Sequence, residues 1–195
     1  MIEVWNSDDK AIKVNPKKMP LTAAVAEFLK IREWEDRIRI LDGNEATELS
    51  FTTSGDGVSI FYSVESGEKT ERLSVYGYSD FKVRPSRMAE MSRIINMINM
   101  NEPFGRFGCY DDEEANSVQF LLTYDLEGGS ISGVQVNLMV QEAIRFFDVY
   151  HNTLSSVALT NTTAKKAWAV LLEQHGAAKA VEELLRNDND VPNEL

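Results

Sequence analysis

The feature that most constrains the fold is a long run of apolar residues spaced at alternating steps of four and three between positions 136 and 157. Residues at this spacing lie on one face of an α-helix. The run therefore predicts a long amphipathic helix that begins near Ser132 or Gly133. Its members are Val136, Val140, Ala143, Phe147, Tyr150, Leu154 and Val157.

Three further helices are predicted from shorter patterns. One begins at Leu21, one opens at Arg84-Pro85-Ser86 and carries an apolar stripe, and one begins at about Ala164. Proline suits the first turn of a helix, because its missing N–H group would have no helical partner there.

Strand patterns fill most of the sequence between these helices. Residues 46–79 contain three alternating segments joined by short turns, which predicts an antiparallel meander. Two more strands are predicted at 104–110 and 118–124, and two short ones at 2–5 and 11–14. The order lacks βαβ alternation and predicts an α+β fold. We expect an antiparallel sheet of about five strands with helices packed mainly on one face.

The same patterns suggest a division of the chain. Residues 21–159 are predicted to form the α+β core domain. Residues 1–20 are predicted as an N-terminal extension, with a possible hairpin, and residues 160–195 as a helix followed by a disordered polar tail.

Composition narrows the classes of partner and location. The formal net charge is −11, so like-charge repulsion disfavours direct nucleic-acid or anionic-membrane binding. The single cysteine excludes an internal disulfide and suits a reducing compartment. No apolar run approaches the ~18 residues of a spanning helix, and the acidic start does not resemble a signal peptide. A cytoplasmic location is the expectation.

Residues suited to catalysis are few and isolated. The two histidines, His151 and His175, fit surface or boundary positions on helices better than the role of a base, because no nucleophile is paired with them by a known motif. Cys109 has no basic neighbour to activate it. The run Asp111–Glu114 fits a solvated loop better than a metal site. The sequence therefore predicts no catalytic, cofactor or metal residue and a protein that is not an enzyme.

An interaction surface is the remaining prediction. The helix from residue 84 to residue 100 contains four of the seven methionines, and its apolar residues extend beyond one narrow stripe. Methionine adapts to irregular partners. A helix that is apolar on more than one face needs a second contact, which self-association in a homodimer would supply. The simpler interpretation is that the helix packs on the sheet alone, since most apolar helix faces belong to the core. The predicted partner-binding residues are Met88, Met91, Ile94, Met97 and Ile98.

Several segments between about Ala46 and Leu159 together match the pattern of a known family. They are the strand Leu73–Tyr78, the helix end Ile94–Asn99, Phe107, the segment Val118–Gly129, and Ala143, Phe147 and Asp148. In these segments the span resembles the YbjN family of bacterial sensory-transduction regulators, whose fold is similar to type III secretion chaperones. The resemblance implies a non-catalytic domain that binds or stabilises protein partners and can form a dimer, and it supplies no catalytic or cofactor residue.

The leading functional hypothesis is a protein-binding adaptor or chaperone-like regulator, in bacterial sensory transduction or stress response. Two alternatives stay open from the sequence. One is a carboxylate-based, metal-dependent enzyme with an unrecognised site. The other is an acidic mimic of nucleic acid, which requires carboxylates spaced like phosphates along one face.

Overall fold

The computed structural model describes residues 1–41, 46–55, 58–110 and 116–176, without the side chain of Tyr110. Within these residues one sheet contains eight strands in the order β2-β1-β3-β4-β5-β6-β8-β7. The strands are β1 Ile2–Trp5, β2 Ala11–Val14, β3 Ile38–Ile40, β4 Ala46–Gly55, β5 Val58–Gly67, β6 Arg72–Lys82, β7 Arg106–Tyr110 and β8 Ser117–Asp125. The helices are α1 Pro20–Arg32, α2 Met88–Asn101, α3 Gly133–Leu159 and α4 Ala164–Gln174, with a 3₁₀ turn at Pro85–Arg87 before α2.

The predicted α+β class is confirmed, but the sheet has eight strands instead of about five. The three additional strands are β1, β2 and β3. β1 pairs antiparallel with β2 along its whole length. It also lies parallel to β3 through the pair Trp5–Arg39, which makes the sheet mixed. A parallel neighbour needs a long crossover, here the segment containing α1, and this pairing leaves no local signal in the sequence.

One face of the sheet, the inner face, packs against the helices. Alternate residues of each strand point to it, as the twofold period of a strand requires. The register places buried side chains side by side across four strands, in the row Leu49, Val64, Val75 and Leu122. The predicted helical face of α3 covers this surface, since all seven residues of its apolar run are buried.

Helix α3 packs closely on the sheet at Gly77 of β6. A Cβ atom at this position would lie 2.6 Å from the ring of Phe147 and 3.0 Å from the ring of Tyr62. These two rings meet edge-on with centroids 6.0 Å apart. The absence of a side chain at Gly77 therefore lets the helix settle on the strand.

The opposite face, the outer face, is covered by no described element. Three rows of side chains cross it in register: Arg39, Glu48, Glu65, Ser74 and Thr123; Ser50, Ser63, Tyr76, Leu121 and Arg106; and Thr52, Phe61, Tyr78, Gln119 and Gly108. Its aromatic residues are exposed or half-buried, and Phe61 keeps 44% of its surface accessible. The expectation that the helices pack mainly on one face is therefore confirmed for the described residues.

Two predicted features lie outside the described residues. They are the acidic turn Asp111–Glu114 and the tail beyond residue 176.

Candidate functional site

An apolar groove lies between the first half of α3 and the end of β8. Its walls include three large side chains that remain strongly exposed: Phe104 at 57%, Tyr124 at 45% and Leu138 at 58%. Two cavities of about 860 and 250 Å³ meet here and share Phe104, Leu122 and Tyr124. A cluster of exposed large apolar side chains around a preformed concavity is the usual sign of an interaction site.

The groove exists because β7 is shorter than its neighbour β8. The last residue of β8 that pairs with β7 is Leu121, opposite Arg106. Residues 122–125 of β8 continue beyond this point and pair with β6 on their other side. Within the described chain no strand lies beside them on the β7 side, so this stretch of sheet edge is open.

The segment before β7 is held in a fixed position. The side chain of Asn99 in α2 accepts a hydrogen bond from the amide of Phe107 and donates one to its carbonyl oxygen, both at 2.9 Å. Gly105 adopts φ +71°, and a Cβ atom there would lie 2.3 Å from the ring of Phe120. This backbone conformation and close approach suit glycine alone. The turn before β7 is therefore fixed at both Gly105 and Phe107, and Phe104 lies directly beside it.

A charged cluster borders the groove. Arg145 pairs with Glu142 at 2.7 Å and with Glu102 at 3.2 Å, and Tyr150 donates a hydrogen bond to Glu102. These bonds to the carboxylates raise the pKa of Arg145. Burial, followed by the bond to Glu102, raises the pKa of Tyr150, so its hydroxyl stays protonated as a donor. The charges of Arg145, Glu102 and Glu142 are thus matched within the chain, and the smaller cavity has mainly apolar walls. The larger cavity also has polar walls, which include Asn96, Asn99 and Arg106.

The five residues predicted as a partner-binding surface divide into two groups. Met91, Ile94 and Ile98 are fully buried in the chain's own core, so their side chains are not available to a partner in this conformation. Met88 and Met97 are partly buried against the core. The alternative reading, in which α2 packs as a core helix, accounts for the first three residues. A partner contact at Met88 or Met97 stays a prediction.

Sequence reasoning missed the groove because its residues are dispersed. Phe104, Tyr124 and Leu138 come from a loop, a strand end and a helix, and each resembles an ordinary core residue in its own pattern. The one available signal was Leu138, which lies outside the apolar run of α3. The sequence also predicted that this strand begins at residue 104. It begins at Arg106, and Phe104 therefore lies outside the sheet.

A third cavity, of about 450 Å³, lies between α3 and the adjoining ends of β4 and β5, and His151 lines it. The Nε2 atom of His151 is 2.7 Å from Oδ1 of Asp80, which lies in the irregular stretch of β6 between Tyr78 and Lys82. The ring also packs edge-on against Phe81 at 5.4 Å, and its Nδ1 atom is buried without a hydrogen-bond partner. These contacts place His151 at a boundary position. In the described residues no hydroxyl or thiol is hydrogen-bonded to it.

The other candidate groups do not line any of these three cavities. His175 is exposed at the end of α4, and the sulfur of Cys109 lies 3.7 Å from that of Met88. Across residues 1–41, 46–55, 58–110 and 116–176, no three His, Cys, Asp or Glu side chains come together in an arrangement that could hold a metal ion. Nor does any helix of those residues have the length and apolar character needed to cross a membrane.

The fold and the groove define the class: an α+β domain in which helices cover one face of a mixed sheet and a preformed apolar groove opens at the sheet edge. The chain belongs to the YbjN family. The family model, described as "putative bacterial sensory transduction regulator", matches residues 22–155. This confirms the resemblance drawn from the sequence.

Two solved structures are similar to this chain. A crystal structure of YbjN from E. coli, described as "a putative transcription regulator", has a TM-score of 0.47 at 11% identity, covering 69% of this chain and 90% of that one. The structure of the HopA1–SchA chaperone–effector complex has a TM-score of 0.46 at 11% identity, covering 70% of this chain and 96% of that one. No curated protein sequence matches the chain significantly.

Proposed function

We propose that this protein is a non-catalytic, protein-binding adaptor or chaperone-like regulator that acts in the cytoplasm in bacterial sensory transduction. The observation that carries the proposal is the exposed cluster of Phe104, Tyr124 and Leu138 around one groove. Burying such side chains contributes about 25 cal/mol for each Å² removed from water. The family description supports the regulatory role.

The occupant we propose is an extended, apolar segment of a partner protein. The groove runs along residues 122–125 of β8, whose edge is open on the β7 side. An extended segment can add to such an edge through main-chain hydrogen bonds while its side chains fill adjacent pockets. Apolar side chains are expected because Phe104, Leu122 and Leu138 line the cavity they would enter.

The test uses a matched pair of variants in α3. Leu138 and Val134 are 58% and 56% exposed, but only Leu138 lines the groove. Leu138→Asp is expected to abolish co-purification of the partner, whereas Val134→Asp is expected to retain it. A photo-reactive amino acid at position 138 is expected to cross-link that partner, and the same group at position 134 is not. Equal loss in both variants would contradict the proposed site.

A second measurement tests the binding mode. Hydrogen exchange of the backbone amides of residues 122–125 is expected to slow when the partner isolated in the first experiment is added. Slowing confined to α2 would instead favour a contact at Met88 and Met97. Background proteins alone, recovered across several growth conditions, would count against the adaptor function itself.

We also propose that the chain forms a homodimer, as the broad apolar character of α2 suggested. Sedimentation at high concentration is expected to show twice the monomer mass of 22.0 kDa. A particle of monomer mass at that concentration would remove the dimer while leaving the groove proposal intact.

A further inference from the structure

The outer face of the sheet carries two carboxylates that face each other without a cation between them. Glu48 of β4 and Glu65 of β5 are directly opposite in the register. Side chains in this relationship have Cβ atoms about 4.5–5.5 Å apart, and like charges so placed destabilise a sheet. On its other side Glu48 is opposite Arg39 of β3, the nearest cation in the register. No ion pair within 4.0 Å, however, joins either carboxylate to Arg39 or to another Lys or Arg of the described chain.

The position of Glu48 is fixed by its neighbours. Its Oε1 atom accepts hydrogen bonds from the hydroxyls of Ser63 at 2.7 Å and Ser50 at 3.0 Å. Glu65 has no such support, and burial together with the charge of Glu48 raises its pKa. One carboxylate is therefore held in place, and the other lacks a partner that would favour its charge.

Three aromatic rings lie beside this pair on the same face. Phe61 and Tyr78 have ring centroids 5.7 Å apart, and Tyr76 and Tyr78 stack at 6.4 Å. Burial, with smaller contributions from the nearby carboxylates, raises the pKa of Tyr78, so its ring stays neutral. Neutral aromatic faces attract Arg and Lys side chains through their quadrupoles. The rings and the carboxylates thus favour the same kind of group.

We infer that this part of the outer face binds a basic, Arg-containing segment of a protein partner. The guanidinium group would pair with Glu48 and Glu65 and stack on the rings of Tyr76 and Tyr78. Arginine fits better than lysine because its planar group can pair with a carboxylate and lie flat on an aromatic ring. The inference rests on the proposed protein-binding function, but not on the apolar groove.

Charge decides between a basic segment and a second copy of this chain. Two copies that met through this face would bring two Glu48–Glu65 pairs together, in addition to the net charge of −11 on each copy, so this face disfavours a second copy. A basic segment instead gains from the overall field of the molecule and from the unpaired carboxylates.

To test this inference, the isotope-labelled full chain is titrated with a synthetic peptide of alternating Arg and Ser residues, and binding is followed by NMR. Chemical-shift changes are expected in the strands around Glu48, Phe61, Glu65 and Tyr76. The double variant Glu48→Gln/Glu65→Gln is expected to weaken binding about tenfold. A peptide with citrulline in place of arginine keeps the shape without the charge and is expected to show a comparable loss.

A matched charge control separates a site from diffuse attraction. Glu173→Gln removes a charge from the exposed surface of α4 and is expected to change affinity by less than about twofold. If the two single variants Glu65→Gln and Glu173→Gln weaken binding equally, the inference is wrong. The inference is also wrong if the chemical-shift changes caused by the peptide map to Phe104, Tyr124 and Leu138. A free chain that is a dimer, and that Phe61→Glu converts to a monomer, would contradict it as well. Leu138→Asp is expected to leave peptide affinity unchanged, so failure of the groove proposal would be recognised separately.

Discussion

The carboxylate of Glu68 caps helix α1 through Thr22, from a position 46 residues further along the chain. Its Oε1 atom accepts hydrogen bonds from both the amide and the hydroxyl of Thr22 at 2.8 Å. The Thr22 hydroxyl also contacts those of Thr47 and Ser66 at 3.0 and 3.2 Å in the buried interior. Since α1 has no side-chain cap of its own, this contact replaces one.

Replacing Glu68 with alanine is expected to lower the free energy of unfolding by about 1–3 kcal/mol, because helix amides and a buried hydroxyl lose their acceptor. Urea unfolding followed by circular dichroism measures the change. Glu173→Ala, on the exposed face of α4, is the control and should stay within about 0.5 kcal/mol of the parent. Equal effects of the two substitutions would show that the cap adds nothing.

Gly133 is expected not to tolerate alanine. An added Cβ atom would lie 2.7 Å from both the Cβ of Glu27 and the backbone nitrogen of Phe28, where α1 and α3 meet. Overpacking of this kind typically costs about 1–3 kcal/mol, which thermal unfolding would detect as a lower Tm. Gly55→Ala is the matched substitution, since nothing lies within 4 Å of the corresponding atom there. An unchanged Tm for Gly133→Ala would contradict the close contact of the helices.

Asn99→Ala is expected to loosen the groove. The change removes both hydrogen bonds to Phe107, leaving a backbone amide and carbonyl without that partner. We expect a loss of about 1–3 kcal/mol in stability and weaker partner capture. Hydrogen exchange at the Phe107 amide should accelerate. Gly133→Ala, which is expected to lose a similar amount of stability, is the control. If it weakens capture of the partner as much as Asn99→Ala does, the weaker capture results from lower overall stability and not from a change in the groove.

Glu65→Gln is expected to stabilise the chain in a pH-dependent way. The folded-state pKa of Glu65 is raised, first by burial and then by Glu48, so its ionised form opposes folding. The native state binds the proton more tightly than the unfolded state, and this residue's contribution to stability falls as the pH rises through the folded-state pKa. The variant should gain roughly 0.2–1 kcal/mol at neutral pH. The gain should vanish below the ordinary glutamate pKa of about 4.3.

Urea unfolding at several pH values between these limits would check this behaviour. Glu173→Gln, at an exposed position of helix α4, should show no comparable gain. A Glu65→Gln variant that is more stable yet binds the Arg-Ser peptide less well would separate the two roles of this residue. A gain that persists at acidic pH would point to packing instead of charge.

The sequence predicted the local elements well where one period dominates. The α3 run from Val136 to Val157 is buried as expected, and the meander over residues 46–79 is present. Periodicity, however, shows only that a face is apolar, not what covers it. The helix α2 illustrates this limit, since the fully buried Met91, Ile94 and Ile98 have the same pattern that a partner-binding surface would have.

The features that sequence reasoning missed all depend on contacts between distant segments. His151 and Asp80 are 71 residues apart, and the Glu48–Glu65 pair depends on the register of two strands. The groove depends on where β7 begins relative to β8. None of these relationships follows from the spacing of residues along the chain, so only the folded structure shows them.

The single parallel pair between Trp5 and Arg39 has a consequence for how the chain opens. Strand β1 is fully paired with β2, but it joins the rest of the sheet through this one register position. Units with few cross-links open at lower free energy than the body of a protein. The N-terminal hairpin should therefore detach as a cooperative unit, its amides exchanging together and sooner than those of β5 and β6, and proteases should reach residues 6–10 while the remaining sheet is still closed.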